Sequence, residues 1–128
     1  MTYVDGFLIP VPTAKMAAYR KFARLGAKVW TDHGALDYKE CVMDDPFSQF
    51  PDAKGKMQKI PSAFPKMALT KRGDTVVFAF IVFKSKAHRD RVNKKVMADP
   101  RMAGLDPSEM PVDMARFGYA GFKVMVEG

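Results

Sequence analysis

The stretch TVVFAFIVF, residues 75–83, is the clearest strand of the 128-residue chain, and it decides the fold. Both of its faces are apolar, one formed by Val76, Phe78, Phe80 and Val82 and the other by Val77, Ala79, Ile81 and Phe83. One layer of helices covers only one face of a sheet, and each large apolar side chain left in water forgoes roughly 1.5–3 kcal/mol. We therefore predict that a second copy of the sheet covers the other face and that the protein is a homodimer.

The segments on either side of this strand predict an α+β fold, with residues 1–128 forming one domain. The expected elements are a strand at 3–9, a helix from its cap Thr13 to about Asp32, a strand at 35–43, the strand at 75–83, a helix at 86 to about 98 behind its cap Ser85, and a strand at about 115–126. This βαββαβ order is ferredoxin-like, with two helices on one face of a four-stranded antiparallel sheet.

A long connection, residues 44–73, joins the second and third of these strands and holds four of the nine prolines. Within it FPKMAL, residues 64–69, is expected to form a short extra strand or an extended arm. Connections of this length are unusual in so small a domain, so we expect part of the segment to be ordered.

The composition is typical of a globular protein in a reducing compartment. Cys41 is the only cysteine, so no disulfide can form within the chain. The N-terminal residues lack the basic region and long apolar core of a signal peptide. No apolar run approaches the roughly 20 residues that span a bilayer. We expect a cytoplasmic protein without membrane contact.

The net charge of +7 raises an alternative, a module that binds nucleic acid, RNA in particular. The densest basic group is KSKAHRDRVNKK, residues 84–95, in the second predicted helix. It contains no aromatic side chain that stacks on a base, and the other basic residues are spread along the chain. A solvated helix face is therefore the favoured interpretation of this segment.

Four stretches of the sequence resemble the YbaA-like family of small bacterial proteins, a family without an established function. They are DGFLIPVP (5–12), VWTDHGALDYKEC (29–41), VVFAFIVFKSKAHRDRVNKKVMADPRM (76–102) and YAGFKVMVE (119–127). The resemblance implies a dimeric α/β barrel of ferredoxin-like topology. That superfamily holds cofactor-free monooxygenases, haem enzymes, isomerases, lyases and non-catalytic members, so it limits architecture far better than chemistry. It implies no catalytic residues for this chain.

The sequence carries no recognisable metal or cofactor motif. His33, His88 and Cys41 do not stand at ligand spacings such as HxxxH or CxxC, and neither a phosphate loop nor GxSxG is present. Haem would need an axial ligand, for which His33 is the best available residue, with nothing else in its support. We expect no metal and no tightly bound cofactor, and an inert thiol at Cys41.

Three polar residues on apolar faces form the candidate acid–base site. His33 ends the apolar stripe of the first helix, while Glu40 and Asp5 alternate with apolar residues in the second and first strands. A carboxylate on an apolar face needs a partner or a proton, and such groups are candidate acids and bases. We predict His33 as the acid–base residue with Glu40 or Asp5 orienting it. The alternative is that both carboxylates pair with basic residues across the dimer interface and that His33 only caps the helix.

Aromatic side chains are expected to line a pocket between the sheet and the helices, a usual place for an apolar ligand. Trp30 stands one helical turn before His33. Tyr3, Tyr38 and Phe80 complete the expected wall. The leading interpretation is a protein that binds or converts a small, partly apolar molecule, and the sequence does not decide between an enzyme and a binding module. A structural or regulatory dimer without a ligand is the third alternative.

Overall fold

The computed structural model describes residues 2–128 and shows a mixed α+β chain. Its elements are β1 (Tyr3–Pro12), α1 (Met16–Asp32), β2 (Asp37–Val42), β3 (Phe47–Pro51), β4 (Met57–Pro61), α2 (Phe64–Met67), β5 (Asp74–Phe83), α3 (Lys86–Ala98), α4 (Pro100–Ala103) and β6 (Gly118–Lys123). Short 3-10 turns lie at Thr13–Lys15, Pro107–Glu109 and Met114–Arg116.

Four strands form an antiparallel sheet in the order β2-β5-β1-β6, and β3 and β4 form a separate two-stranded hairpin. Ala79 of β5 lies between Phe7 of β1 and Glu40 of β2. Directly opposed residues share a face of the sheet, so the same face also carries Asp5 and Tyr38, two residues away on their strands. The prediction of a four-stranded antiparallel sheet in an α+β chain is confirmed.

The central strand β5 shows which of its two apolar faces the helices cover. The set Val77, Ala79, Ile81 and Phe83 is buried against α1 and α3. On the other face Phe78 remains 46% exposed, and Phe122 of the edge strand β6, on the far side of β1, remains 56% exposed. We call this second surface the open face. No element within residues 2–128 covers these two rings fully, as expected from the double apolar pattern of β5.

Helix α1 follows its predicted apolar stripe, because Tyr19, Ala23 and Gly26 are all buried on one side of it. It ends beside Gly34, whose φ of 110° lies in the left-handed region that favours glycine. The prediction of Thr13 as its cap was wrong. A 3-10 turn intervenes, and the Thr13 hydroxyl donates instead to the carbonyl oxygen of Gly73 at 2.8 Å.

Helix α3 begins as the sequence predicted. The Ser85 hydroxyl accepts a hydrogen bond from the backbone N–H of His88 at 3.1 Å, which satisfies one of the free donors of the first turn. Val92 and Val96 are buried and attach the helix to the sheet. The helix ends at Ala98, ahead of Pro100.

Two predicted strands differ from the observed elements. Residues 64–69 do not form a strand or an arm, because Phe64–Met67 is a helical turn with Pro65 in its first turn, a position where proline suits a helix. The last strand is shorter than predicted, since a 3-10 turn at Met114–Arg116 delays its start until Gly118. The projecting element of the 44–73 connection is instead the β3–β4 hairpin.

Candidate functional site

The space between the sheet and the helices holds two adjoining cavities, which we call the inner cavity. Its narrow part, about 80 Å³, lies between the sheet and α1, and its wide part, about 340 Å³, lies under α3, α4 and the segment that leads to β6. The two parts share four aromatic walls, Phe7, Phe22, Trp30 and Phe117. A cavity is therefore present between the sheet and the helices, where the sequence predicted a pocket.

Asp5 forms the polar end of the wide part. Its side chain is buried, with 1% of the residue exposed. Arg89 of α3 donates from Nη1 to Asp5 Oδ1 at 2.7 Å and to the Tyr119 hydroxyl at 2.8 Å, and that hydroxyl donates to Asp5 Oδ2 at 3.1 Å. The Arg89 guanidinium also lies 4.9 Å from the centre of the Tyr3 ring. The Asp5 charge is therefore paired within its own chain and not across a dimer interface.

Burial raises the pKa of Asp5 above its ordinary value, because removal from water disfavours the carboxylate. The positive charge of Arg89 and the hydrogen bond from Tyr119 lower that pKa, but burial has the larger effect. A carboxyl group with a raised pKa on a cavity wall is a candidate acid or base.

Glu40 forms the polar end of the narrow part. Its Oε1 accepts from the Tyr19 hydroxyl at 2.6 Å and its Oε2 from the Tyr38 hydroxyl at 2.7 Å. Burial and the neighbouring Glu40 raise the pKa of both phenols, so both remain neutral donors at physiological pH. Gly26 makes room for this cluster, because a Cβ at that position would lie 2.7 Å from the Tyr38 hydroxyl.

Trp30 and a group of methionines form the walls between these ends. The Trp30 indole N–H donates to Asn93 Oδ1 of α3 at 3.0 Å, which fixes the ring between the two parts of the cavity. Besides the aromatic walls, the wide part is lined by Met97, Met102, Met110 and Met114. Methionine side chains are flexible and polarizable, so this wall can adapt to different apolar shapes.

His33 does not join the carboxylates with which it was predicted to pair. Its Nε2 lies 2.8 Å from Asp99 Oδ2, and Arg101 binds the same carboxylate. His33 therefore connects the end of α1 to the start of α4. The predicted orientation of His33 by Glu40 or Asp5 was wrong. His33 is the C-cap residue of α1 and Asp99 is the N-cap residue of α4, so the two helix ends bring these side chains together.

Phe80 and Tyr3 were both predicted as pocket walls, and neither lines the inner cavity. Phe80 lies opposite Lys39, whereas Tyr38 lies opposite Ile81, so Phe80 is on the open face, where its ring centre is 6.1 Å from that of Phe78. Tyr3 is buried in the core, where its ring packs against the Arg89 guanidinium. Of the four predicted wall residues, Trp30 and Tyr38 line the cavity.

The residues that the sequence did not single out are Arg89, Asn93, Tyr19 and Tyr119. Arg89 and Asn93 belong to the basic segment 84–95, which was interpreted as a solvated face. The helical spacing could have identified Arg89 and Asn93. One face of α3 carries Arg89, Val92, Asn93 and Val96, so the side with the two buried valines also carries an arginine and an amide.

Within residues 2–128 no three His, Cys, Asp or Glu side chains stand close enough to hold a metal ion. In the same part of the chain, no helix has the length and apolar character needed to cross a membrane. The polar groups that line the inner cavity include the carboxyl groups of Asp5 and Glu40, three phenols and the amide of Asn93.

Residues 2–114 match a family model described as "Protein of unknown function (DUF1428)". The chain is also 37% identical over 127 residues to the "Uncharacterized protein YbaA" of Escherichia coli strain K12, with 99% of each chain covered. The protein of that name from Shigella flexneri is similar to the same extent. These matches confirm the resemblance to YbaA-like proteins that the sequence indicated. The chain belongs to the DUF1428 family.

Proposed function

We propose that the protein binds a small, partly apolar molecule in the inner cavity. The observation that carries this proposal is Asp5, a fully buried carboxyl group at the wall of a space lined mainly by aromatic rings and methionines. The wide part has about 340 Å³, within the range of roughly 300–1,000 Å³ that small-molecule sites occupy. An apolar pocket with a few convergent polar groups is the usual form of such sites.

Asp5 and Glu40 are the residues that we propose to contact the polar groups of the ligand and to exchange protons with it. Asp5 lines the wide part of the inner cavity and Glu40 the narrow part, and each accepts a hydrogen bond from at least one phenol hydroxyl. His33 takes no part in this proposal, because its partner is Asp99. Tightly bound cofactors are not required for such chemistry, and their absence remains a prediction.

Calorimetric titration with a neutral aromatic probe, 1-naphthalenemethanol, tests the proposal. We expect one site per chain with a dissociation constant below about 1 mM. Met110→Trp places a larger side chain in the wall of the cavity and should weaken binding by about tenfold or more. Met125→Trp is the matched control, because Met125 is 88% exposed near the C-terminus. Equal binding by both variants, or no binding by the wild type, would overturn the proposal.

We also propose that the chain forms a homodimer through the open face, with two ferredoxin-like sheets facing each other as a dimeric α/β barrel. The strand order β2-β5-β1-β6 and the exposed rings of Phe78 and Phe122 support this arrangement. Uncovered aromatic rings on one face of a sheet favour association, because burying them removes apolar surface from water.

Light scattering tests the dimer. The expected mass is twice the 14.3 kDa of one chain at micromolar concentration, and Phe78→Lys should shift it to that of a monomer. Met125→Lys introduces the same charge near the C-terminus and should leave the dimer intact. A monomeric wild type at micromolar concentration contradicts the arrangement. A cytoplasmic location suits the free Cys41 and remains a prediction.

Binding of RNA through residues 84–95 is the weaker alternative. Arg89 is turned toward Asp5 and away from solvent, which removes one basic side chain from the surface of α3. Retention of the purified protein on RNA at low salt, weakening steeply as salt rises, is the observation that would favour this alternative.

A further inference from the structure

The ionisable groups of the inner cavity leave one negative charge without a positive partner. Its walls include two carboxylates, Asp5 and Glu40, and no lysine, arginine or histidine among the described residues. Arg89 compensates Asp5 from behind the wall at 2.7 Å. Within residues 2–128 no ion pair involves Glu40. The inner cavity is therefore acidic inside a chain whose net charge is +7.

The hydrogen bonds of Glu40 leave room for a cationic ligand. Each carboxylate oxygen accepts one bond from a neutral phenol, Tyr19 or Tyr38, and a carboxylate oxygen has capacity for a second. Neutral donors satisfy part of the charge, but a carboxylate withdrawn from water is stabilised most by an opposite charge. An anionic ligand would meet repulsion here.

Aromatic rings surround the same carboxylate. The ring centres of Trp30 and Tyr38 lie 6.2 Å apart with planes tilted by 42°, and those of Tyr19 and Phe22 lie 6.3 Å apart. All four residues line the narrow part together with Glu40. The faces of aromatic rings attract ammonium groups, and this attraction grows when water is excluded. A carboxylate beside several aromatic rings is a combination that recognises organic amines.

We propose that the ligand of the inner cavity is a partly apolar organic amine, bound as its ammonium form. This inference rests on the proposed binding function. The ammonium group lies beside Glu40 in the narrow part, and the apolar body lies in the wide part against the methionine wall. Asp5, already neutralised by Arg89, contributes a polar contact at the far end and no preference for a cation.

Three probes with the same ring and different charges test this assignment: 1-naphthylmethylamine, 1-naphthalenemethanol and 1-naphthoic acid, each titrated calorimetrically at pH 7. We expect the amine to bind at least about tenfold more tightly than the alcohol, and the acid most weakly. Glu40→Gln preserves the size of the side chain and removes its charge, so the amine should lose its advantage over the alcohol, with the two dissociation constants within about twofold of each other. Glu109→Gln, a charge change in the segment outside the wide part, is the matched control and should leave the ranking unchanged.

The outcomes separate the two proposals. If none of the probes binds the wild type, the proposed binding function fails and this inference fails with it. If the alcohol binds at least as tightly as the amine, or the acid binds most tightly, the cavity binds ligands but the amine assignment is wrong. A preference for the amine that survives Glu40→Gln also overturns the assignment, because the charge of Glu40 would not be its cause.

Discussion

The two carboxylates of the inner cavity stand on the same face of one sheet and are stabilised in opposite ways. Asp5 in β1 is fully buried and joined to a guanidinium, whereas Glu40 in β2 is half-buried and held only by two phenols. Arg89 compensates the charge of Asp5 within the protein. The charge of Glu40 has no basic partner within residues 2–128, so a bound ligand can compensate it. In the proposed binding mode, Asp5 therefore offers the ligand a polar contact whose charge Arg89 already compensates, whereas Glu40 offers the charge that the ligand recognises.

The largest expected effect is on the Asp5 end. Arg89→Met removes the only basic partner that the buried Asp5 has within residues 2–128, and breaking such a pair from one side costs about 3–5 kcal/mol. Urea unfolding followed by circular dichroism measures this loss. Arg91→Met on the exposed side of the same helix is the control and should change the free energy of unfolding by less than about 0.5 kcal/mol. A loss below about 1 kcal/mol for Arg89→Met would mean that Asp5 is not held by this pair.

The sequence could predict the positions of both carboxylates, because strand alternation places Asp5 with Tyr3 and Phe7, and Glu40 with Tyr38. It could not predict what binds them. Tyr19 and Arg89 lie 21 and 84 residues away from their carboxylates, and such contacts depend on how helices cross the sheet. A long arginine side chain on a basic helix also resembles a solvated residue until its helical face is compared with that of the buried valines.

The error at Phe80 has a related cause. Both faces of β5 are apolar, so the strand itself does not indicate which face meets the helices. The register with β1 identifies the face of β5 that meets the helices. Ile81 pairs with Asp5 on that face, and Phe80 pairs with Gly6 on the other. Register between distant strands is a property of the folded sheet, and a shift of one residue would exchange every face.

A smaller effect is expected at Gly26, where α1 passes closest to the Glu40 end. Gly26→Ala should cost about 1–2 kcal/mol, because the new Cβ would displace the Tyr38 hydroxyl from Glu40 and leave a buried polar group without its partner. Alanine otherwise stabilises a helix by roughly 1 kcal/mol relative to glycine. In a Tyr38→Phe background the clash disappears, and the same substitution should become neutral or stabilising. A double-mutant cycle from urea unfolding measures the coupling, and its absence would contradict the contact.

Removal of the Glu40 charge should affect stability less than either change above. Glu40→Gln retains the shape and one of the two accepting oxygens, and its amide N–H can donate to the oxygen of the other phenol. It also removes a charge that no basic group compensates within residues 2–128. We expect a change within about 1 kcal/mol in thermal or urea unfolding, in contrast to the loss of amine binding proposed for the same variant. Tyr19→Phe is the comparison that removes a donor while leaving the charge in place. A loss of several kcal/mol for Glu40→Gln would identify Glu40 as a structural residue like Asp5.

The smallest expected effect is the pH dependence of stability that burial of Asp5 produces. Burial raises the pKa of Asp5 in the folded chain above its ordinary value of 3.8, so the folded state holds this proton more tightly than the unfolded state. Between the pKa of Asp5 in the unfolded chain and its higher pKa in the folded chain, the unfolded state binds fewer protons than the folded state. The contribution of Asp5 to stability therefore falls as pH rises through this range. The stability of the wild type relative to Asp5→Asn should accordingly increase as the pH is lowered from 7 to 4. Urea midpoints of both proteins at several pH values measure this difference, in which the opposite contributions of the exposed aspartates cancel. A difference that shrinks toward acid pH would mean that Arg89, rather than burial, controls the protonation of Asp5.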